Sequence, residues 1–274
     1  MHIIYLSGIF PEVTPMKDLI TMWKSTRMIV LTAVCAAIYA AVLIPFKPIP
    51  IIPGATELRP ANALPVVFSL LFGPAGAWGS AIGNLIGDTF GTLGPGTIFG
   101  FFGNLLLGYI PYKFWNSWST KKPLPGSFLS WAGFISIVIV NSAACALVIG
   151  WGLHLMGLVP FVAIGNVIVI NNLIVSVILS PIFLFALYQR VEKWGLLYTD
   201  VMSGSDISRG KFRKVGTILT SIGAISGMVY GNLIALNILD QPLFEFSKSF
   251  SGQFEIGIGL IPPIILMILG LLLL

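Results

Sequence analysis

The sequence predicts an all-α fold, a polytopic transmembrane helical bundle. Only 9% of the 274 residues are charged, whereas soluble domains carry roughly 25%. The mean hydropathy is +0.95, and the apolar residues are gathered into runs long enough to cross a bilayer as helices, which takes about 20 residues. A water-facing surface cannot be built from so few charges, so lipid is the expected solvent for most of the chain.

Eight apolar segments, separated by connections with Pro, Gly or charged residues, are expected to form the helices. The second is short enough to be tilted or broken. The segments are 28–44, 61–72, 75–88, 97–115, 128–151, 161–187, 215–239 and 256–274. They divide the chain into a cytoplasmic N-terminal segment (1–27), a six-helix body (28–188), a cytoplasmic linker (189–214) and a two-helix tail (215–274).

The charge distribution predicts the orientation in the membrane. With the N-terminus in the cytoplasm, twelve of the fifteen Lys and Arg residues fall on the inner side, and only Lys47, Arg59 and Lys248 fall outside. Basic residues are retained on the cytoplasmic side during insertion. We therefore expect a multi-pass protein of the plasma membrane with both termini cytoplasmic. The net charge of +5 follows from this distribution, so nucleic acid is not an expected partner.

The sequence has no motif for a catalytic, cofactor or metal site. Cys35 and Cys145 lie singly in apolar segments, and His2 and His154 lie far apart, so no zinc-type spacing occurs. The glycine-containing stretch 204–211 lacks the spacing and the Ser or Thr of a phosphate-binding loop. HExxH and GxSxG are absent from the sequence. We expect no enzyme activity, no cofactor and no resident metal.

Two rows of small residues recur at a spacing of four, which places each row on one face of a helix. Ala33, Ala37 and Ala41 form the first row. The stretch GSAIGNLIGDTFG, which begins at Gly79, contains the second, with a glycine at every fourth position. Small side chains let membrane helices approach each other closely. The alanine row therefore either packs inside the bundle or docks a partner helix.

Several polar residues in or beside the apolar segments are candidates for ligand contacts. Asn84 and Asp88 share a helix face, and a carboxylate at the end of a span marks either a functional contact or a solvated interface position. Glu57 and Arg59 either pair with each other or present an acceptor and a forked donor to a polar ligand. Asn62 lies where it can cap the next helix.

Further amides lie within the apolar segments and hydrogen-bond either across helices or to a ligand. They are Asn104, Asn141, Asn166, Asn171 and Asn172.

These features resemble the substrate-binding S component of energy-coupling-factor (ECF) transporters, which import vitamins and related micronutrients in prokaryotes. The resemblance covers residues 28–190. It is carried by the alanine row, by ELRPANALPVVFSLLFGPAGAWGSAIGNLIGD from Glu57 to Asp88, and by the TFGTLGPGTIFGFFGNLL that follows. The branch associated with queuosine precursors is the most similar, on the residues around Arg59, Asn84 and Gly100.

The resemblance implies a six-helix S-component-like core in a prokaryotic plasma membrane, and the apolar segments of the tail add two C-terminal transmembrane helices to it. It implies a vitamin-like ligand, a transmembrane T component and two cytoplasmic ATPase subunits as partners. The row Ala33, Ala37 and Ala41 becomes the surface that docks onto the T component. The expected ligand contacts are seven polar residues: Glu57, Arg59, Asn62, Asn84, Asp88, Asn104 and Asn141.

Two other functions compete with this one. A stand-alone secondary transporter would need a coupling-ion site or inverted repeats. A structural membrane subunit would use the two rows of small residues for assembly alone. The tail is a departure from the S components, which usually end after six helices.

Overall fold

A computed structural model describes residues 16–119, 122–204, 206–207, 210, 212–239 and 253–274 as a helical bundle with one small β-hairpin. The α-helices in these residues are α1 (Lys17–Thr21), α2 (Thr26–Leu43), α3 (Ala63–Phe72), α4 (Pro74–Asp88), α5 (Thr97–Trp118), α6 (Phe128–Leu155), α7 (Phe161–Lys193), α8 (Tyr198–Val201), α9 (Arg213–Ala235), α10 (Gln253–Gly259) and α11 (Ile261–Leu272). Strands β1 (Pro50–Ile52) and β2 (Thr56–Glu57) pair antiparallel in the loop after α2.

The helices confirm the predicted polytopic helical bundle. Five helical stretches in the described part of the chain are long and apolar enough to cross a membrane: Thr26–Phe46, Phe128–Leu155, Phe161–Val201, Arg213–Ala235 and Phe254–Leu272. The last of these is divided at Leu260 into α10 and α11. Pro262 and Pro263 fit the first turn of α11, but inside a continuous helix they would remove backbone donors.

The predicted N-terminal segment (1–27), linker (189–214) and tail (215–274) are described only in part. Residues 1–15, 120–121, 205, 208–209, 211 and 240–252 lie outside the described residues. Within the linker, α7 continues to Lys193 and α8 adds one helical turn. The polar connection between α7 and α9 is therefore partly helical, which composition alone does not indicate.

Helices α2 and α4 pack against each other along the predicted glycine row. A Cβ atom added to Gly83 would lie 2.8 Å from the Ala36 carbonyl oxygen and 2.8 Å from Tyr39 Cβ. Gly79 and Gly87 approach the same helix one turn to either side. Because glycine has no side chain, the two helices lie closer together here than they could with a larger residue at these positions.

Two further glycines serve turns. Gly73 joins α3 to α4 with a φ of 52°, and a Cβ there would lie 2.7 Å from Tyr198 Cγ. The absence of a side chain at Gly73 therefore lets α8 pack against the α3–α4 turn. Gly91, the last glycine of the predicted row, lies beyond the end of α4, and a Cβ on it would meet no atom within 4 Å. The row that contacts α2 therefore has three members.

Asn141 makes a hydrogen bond between two helices inside the bundle and does not line the cavity described below. Pro111 lies inside α5 and has no N–H to donate to the carbonyl oxygen of Leu107, four residues earlier. From α6, Asn141 Nδ2 donates to that oxygen at 3.2 Å. The geometry therefore does not support the prediction that Asn141 contacts a ligand, because its amide replaces the backbone donor that Pro111 lacks.

The C-terminal helices pack onto the body through α9, which contacts α5, α6 and α7 as well as α11. Asn232 of α9 and Asn166 of α7 exchange two hydrogen bonds, of 2.7 and 3.1 Å. A reciprocal amide pair satisfies both side chains in apolar surroundings, where an unpaired amide would be costly. This pair fixes the position of α9 against α7.

We expect Gly83→Ala to destabilise the protein. The added methyl group has no room against α2, and overpacking of this kind costs about 1–3 kcal/mol of unfolding free energy. The matched control is Gly133→Ala in α6, where a Cβ would meet its nearest atom at 3.9 Å and where alanine favours the helix. Thermal unfolding in detergent measures both variants, and equal melting temperatures would contradict the close contact of α2 with α4.

Candidate ligand-binding site

A cavity of about 300 Å³ lies at the end of the bundle that carries the β-hairpin. Small-molecule pockets span about 300–1,000 Å³, so this one suits a small ligand. The hairpin turn 53–56 and residues 91–97 border one end, and residues of α4, α5, α6 and α7 form the walls. We call this end of the molecule the cavity end.

Four charged residues form a network beside the cavity. Glu57 Oε1 lies 3.1 Å from Lys47 Nζ and 2.9 Å from Arg59 Nε. Lys47 Nζ also lies 3.3 Å from Asp88 Oδ1. The four side chains are almost fully buried, and buried charges are tolerated when they are paired. The network ties the loop 46–59 to the end of α4, with two cations balancing two carboxylates.

The β-hairpin places Glu57 in this network. Gly54 supplies the positive φ, 74°, that the turn between the strands uses. Strands of two and three residues are too short to show a periodic pattern in the sequence, which predicts only a loop here. Glu57 is buried but does not line the cavity. Its carboxylate lies behind the wall, where it holds Arg59 and Lys47.

Arg59 extends from the hairpin to the cavity wall. Its Nε faces Glu57, and its Nη1 donates to Asn84 Oδ1 at 2.9 Å. Burial lowers the pKa of Arg59, but the charge of Glu57, with smaller effects from Tyr39 and Asp88, raises it, and the net shift is upward. Arg59 therefore stays a cation. A guanidinium group has five N–H donors, so donors remain for a ligand.

Asn84 and Asp88 lie one turn apart on the cavity face of α4, as their spacing predicts. Asn84 Nδ2 donates to Asp88 Oδ2 at 3.1 Å, and the Thr92 hydroxyl donates to Asp88 Oδ1 at 2.8 Å. Asp88 is 4% exposed, so it is not a solvated interface residue. Both carboxylate oxygens have donors, which fixes the orientation of the group in the wall.

Asn62 and Asn104 meet at a buried tyrosine. The Tyr39 hydroxyl lies 2.7 Å from Asn62 Oδ1 and 3.0 Å from Asn104 Oδ1, and both asparagines line the cavity. The Asn62 side chain makes no capping hydrogen bond to α3. The expectation that it caps this helix is therefore wrong, because the side chain bonds to Tyr39 and, through Nδ2, to Asn172 of α7.

The facing wall is apolar. It is formed by five side chains from α6, the α6–α7 connection and α7, namely Ile149, Leu153, Leu158, Val159 and Ile168. Among the described residues that line the cavity, none is aromatic. A site with one polar and one apolar wall fits a ligand that has a hydrogen-bonding edge and an apolar face.

The structure brings five of the seven predicted ligand contacts to the cavity: Arg59, Asn62, Asn84, Asp88 and Asn104. The other two, Glu57 and Asn141, lie behind the wall and in the bundle interior. The structure adds Thr92, Asn171 and Asn172 to the polar lining.

Sequence reasoning missed Lys47 and Tyr39. Lys47 is one of three basic residues on the predicted outer side, which is a signal that could have identified it. Tyr39 lies in an otherwise apolar run and gives no comparable signal.

The alanine row lies on the surface of the bundle. Ala33, Ala37 and Ala41 are exposed on α2, whereas Ala36 and Ala40, one residue before the second and third, are buried. The alternative that this row packs inside the bundle is therefore excluded within the described chain.

We expect Lys47→Met to destabilise the cavity end. It leaves Glu57 and Asp88 with one cation fewer, and removing one partner of a buried pair costs about 3–5 kcal/mol. The control is Lys122→Met, which breaks an ion pair with Glu192 whose side chains are 60% and 35% exposed and which contributes at most about 1 kcal/mol. Thermal unfolding compares the two variants, and limited proteolysis of the loop 46–59 reports its release. Equal melting temperatures with an uncut loop would show that the network does not hold the hairpin.

Comparison with known proteins gives one assignment. Searches of curated proteins and of solved structures returned no match. A family model described as QueT transporter matches residues 29–189, which is more than half of the chain. The match includes most of α2 and of α7, all of α3 to α6, and every residue that lines the cavity. The match confirms the resemblance to ECF-type S components. The chain belongs to the QueT transporter family, whose members are S components that capture a micronutrient in the membrane.

Proposed function

We propose that this chain binds a queuosine precursor in the cavity and delivers it to an ECF-type importer. Residues 28–188 would form the substrate-binding body. The observation that carries the proposal is the cavity itself, which lies wholly within the family-matched segment. Arg59, Asn84 and Asp88 line it on one side and aliphatic side chains on the other. A queuosine precursor contains a guanine-like 7-deazapurine, whose edge carries donors and acceptors and whose faces are apolar.

The energy for import would come from partners. The chain carries no phosphate-binding loop, and its described residues contain no cluster of three His, Cys, Asp or Glu side chains. Asp88 is paired with Lys47, so it is a poor candidate for a coupling-ion site of the kind that a stand-alone secondary transporter needs. These observations favour a subunit driven by a T component and two cytoplasmic ATPases.

The exposed alanine row is the proposed docking surface for the T component. Ala33, Ala37 and Ala41 present a face of α2 with little side-chain bulk, and such faces allow close helix packing in lipid. The row is exposed even with α9 and α11 in place. The C-terminal helices pack on α5, α6 and α7, so they leave this face of α2 uncovered and are compatible with docking.

The loop 46–59 would act as the cover of the site. Its hairpin turn borders the cavity, and the Lys47–Glu57–Arg59–Asp88 network fastens it to α4. Since a ligand drives a conformational change only through different affinities for the two states, inward release requires that Arg59, Asn84 or Asp88 lose contact with the ligand. We place the cavity end outside the cell and both termini in the cytoplasm, on the distribution of basic residues.

Native mass spectrometry of the tagged protein, gently extracted from its own membranes, tests the assembly and the ligand together. We expect a sub-kilodalton adduct with the mass of a 7-deazaguanine derivative, and co-purification of one membrane partner and two ATPase subunits. A chain with neither adduct nor partners, under conditions that preserve a known ECF complex, would refute the proposal.

We expect Ala37→Trp to abolish uptake without abolishing binding. The indole would hold the T-component helix away from α2. The cavity lies on the other side of α2 and should be unaffected. The matched control is Ala132→Trp, an exposed alanine on α6. Uptake of a labelled precursor by cells that express the whole transporter should fall at least about tenfold for Ala37→Trp and stay near wild type for Ala132→Trp, since displacing a close-packed interface costs more than about 1.4 kcal/mol. Equal uptake by the two variants would show that this row does not dock the T component.

A further inference from the structure

A chain of buried hydrogen bonds crosses from α2 to α7 and ends at the cavity. The Tyr39 hydroxyl donates to Asn62 Oδ1 at 2.7 Å, and Asn62 Nδ2 donates to Asn172 Oδ1 at 2.5 Å. Tyr39 and Asn172 are fully buried and Asn62 is 3% exposed. The Tyr39 hydrogen is shared with Asn104 Oδ1 at 3.0 Å. The order of donors and acceptors leaves the Asn172 oxygen occupied and its nitrogen without a nitrogen or oxygen acceptor in the described chain.

Asn172 Nδ2 has no hydrogen-bond partner of nitrogen or oxygen among the described residues. Among them it donates only to the sulfur of the Cys145 thiol, and sulfur is a weak acceptor. Asn172 lines the cavity. A fully buried amide donor without a good acceptor is costly and calls for an explanation. A ligand that supplies the missing acceptor removes this cost when it binds.

We propose that Asn172 is a specificity-determining residue of the cavity, whose amide N–H donates to a carbonyl oxygen on the ligand. Tyr39 and Asn62 are positioning residues that hold this amide with its nitrogen toward the ligand. The inference rests on the proposed function, and it adds which edge of the ligand is recognised at α7. Arg59 and Asp88 lie on the polar wall that α4 and the hairpin form, so they serve a different part of the ligand.

The chemistry of the proposed ligand class fits this donor. The ring carbonyl of a 7-deazaguanine is its strongest neutral acceptor. A site built to hydrogen-bond one polar group discriminates strongly against an analogue that lacks it, because the buried protein group is then left unpaired. The Asn172 donor should therefore select oxo bases over bases with a poor acceptor at the same position.

The test compares two probes on the intact purified protein by isothermal titration calorimetry. The probes are the queuosine precursor 7-cyano-7-deazaguanine and its 6-thio analogue, which keeps the ring N–H but replaces the carbonyl oxygen with a weak sulfur acceptor. We expect the wild type to bind the oxo base about tenfold more tightly, the effect of one good buried hydrogen bond. In Asn172→Ala the two bases should bind with nearly equal affinity, because only the larger size of sulfur then distinguishes them.

Three further variants keep the test decisive. Asn172→Leu has nearly the shape of asparagine and removes the donor, so it should also lose the preference even if Asn172→Ala fails to fold. Tyr39→Phe removes the hydroxyl that orients Asn62, and the preference should fall about threefold while affinity for the thio base is kept. Asn141→Ala is the control, because this amide lies away from the cavity and its loss should leave the preference intact.

The outcomes separate the two proposals. If the wild type binds both bases equally, or if the preference survives in Asn172→Ala or Asn172→Leu, the Asn172 inference is wrong and the proposed ligand class stands. If neither base binds to the wild type, the proposed ligand class is wrong, and the Asn172 inference falls with it. Tighter binding of the thio base in the wild type would show that the amide faces the ligand with its oxygen, which also overturns the inference.

Discussion

The rest of the structure depends on the close approach of α2 and α4, which a row of three glycines makes possible. Because α4 has no side chains along this line, α2 lies directly against its backbone. The contact brings Tyr39 of α2 and the pair Asn84 and Asp88 of α4 to the same cavity end. It also turns the opposite face of α2 outward, where the alanine row lies. One helix therefore supports the cavity end with one face and exposes the alanine row on the other.

Polar groups in this bundle are used in two different ways. Some repair the backbone or join helices, as Asn141 does beside Pro111 and as Asn166 and Asn232 do between α7 and α9. Others line the cavity with part of their hydrogen-bonding capacity unused. The difference is not in residue type, since both groups are asparagines in apolar helices. It lies in whether the neighbouring groups already satisfy the amide, because an amide with every partner in place has nothing left to offer.

Much of the fold follows from local sequence, and much of the site does not. The apolar segments, the close approach at the glycine row and the existence of the alanine row can be predicted, because hydropathy and a spacing of four are properties of a single segment. Whether the alanine row faces the bundle interior or the surface cannot, because that depends on where the other helices pack. The role of Asn141 depends on Pro111 in another helix, and the partners of Lys47 lie 10 and 41 residues away along the chain. The strands around Gly54 are too short for a pattern. Contacts of this kind depend on tertiary packing, so the sequence identifies candidate residues without separating those that face a ligand from those that face each other.

The reciprocal amide pair between Asn166 and Asn232 has a mechanical consequence. A pair with both donors satisfied inside lipid resists separation, because pulling it apart would strand two amides in hydrocarbon. Helix α9 is therefore tied to α7, and moving the two apart costs both hydrogen bonds. If the body tips in the bilayer during transport, the C-terminal helices tip too, and the rotating object displaces more lipid than a six-helix bundle would. The extension would then raise the viscous drag on that rotation, a property separate from the contacts with the ligand.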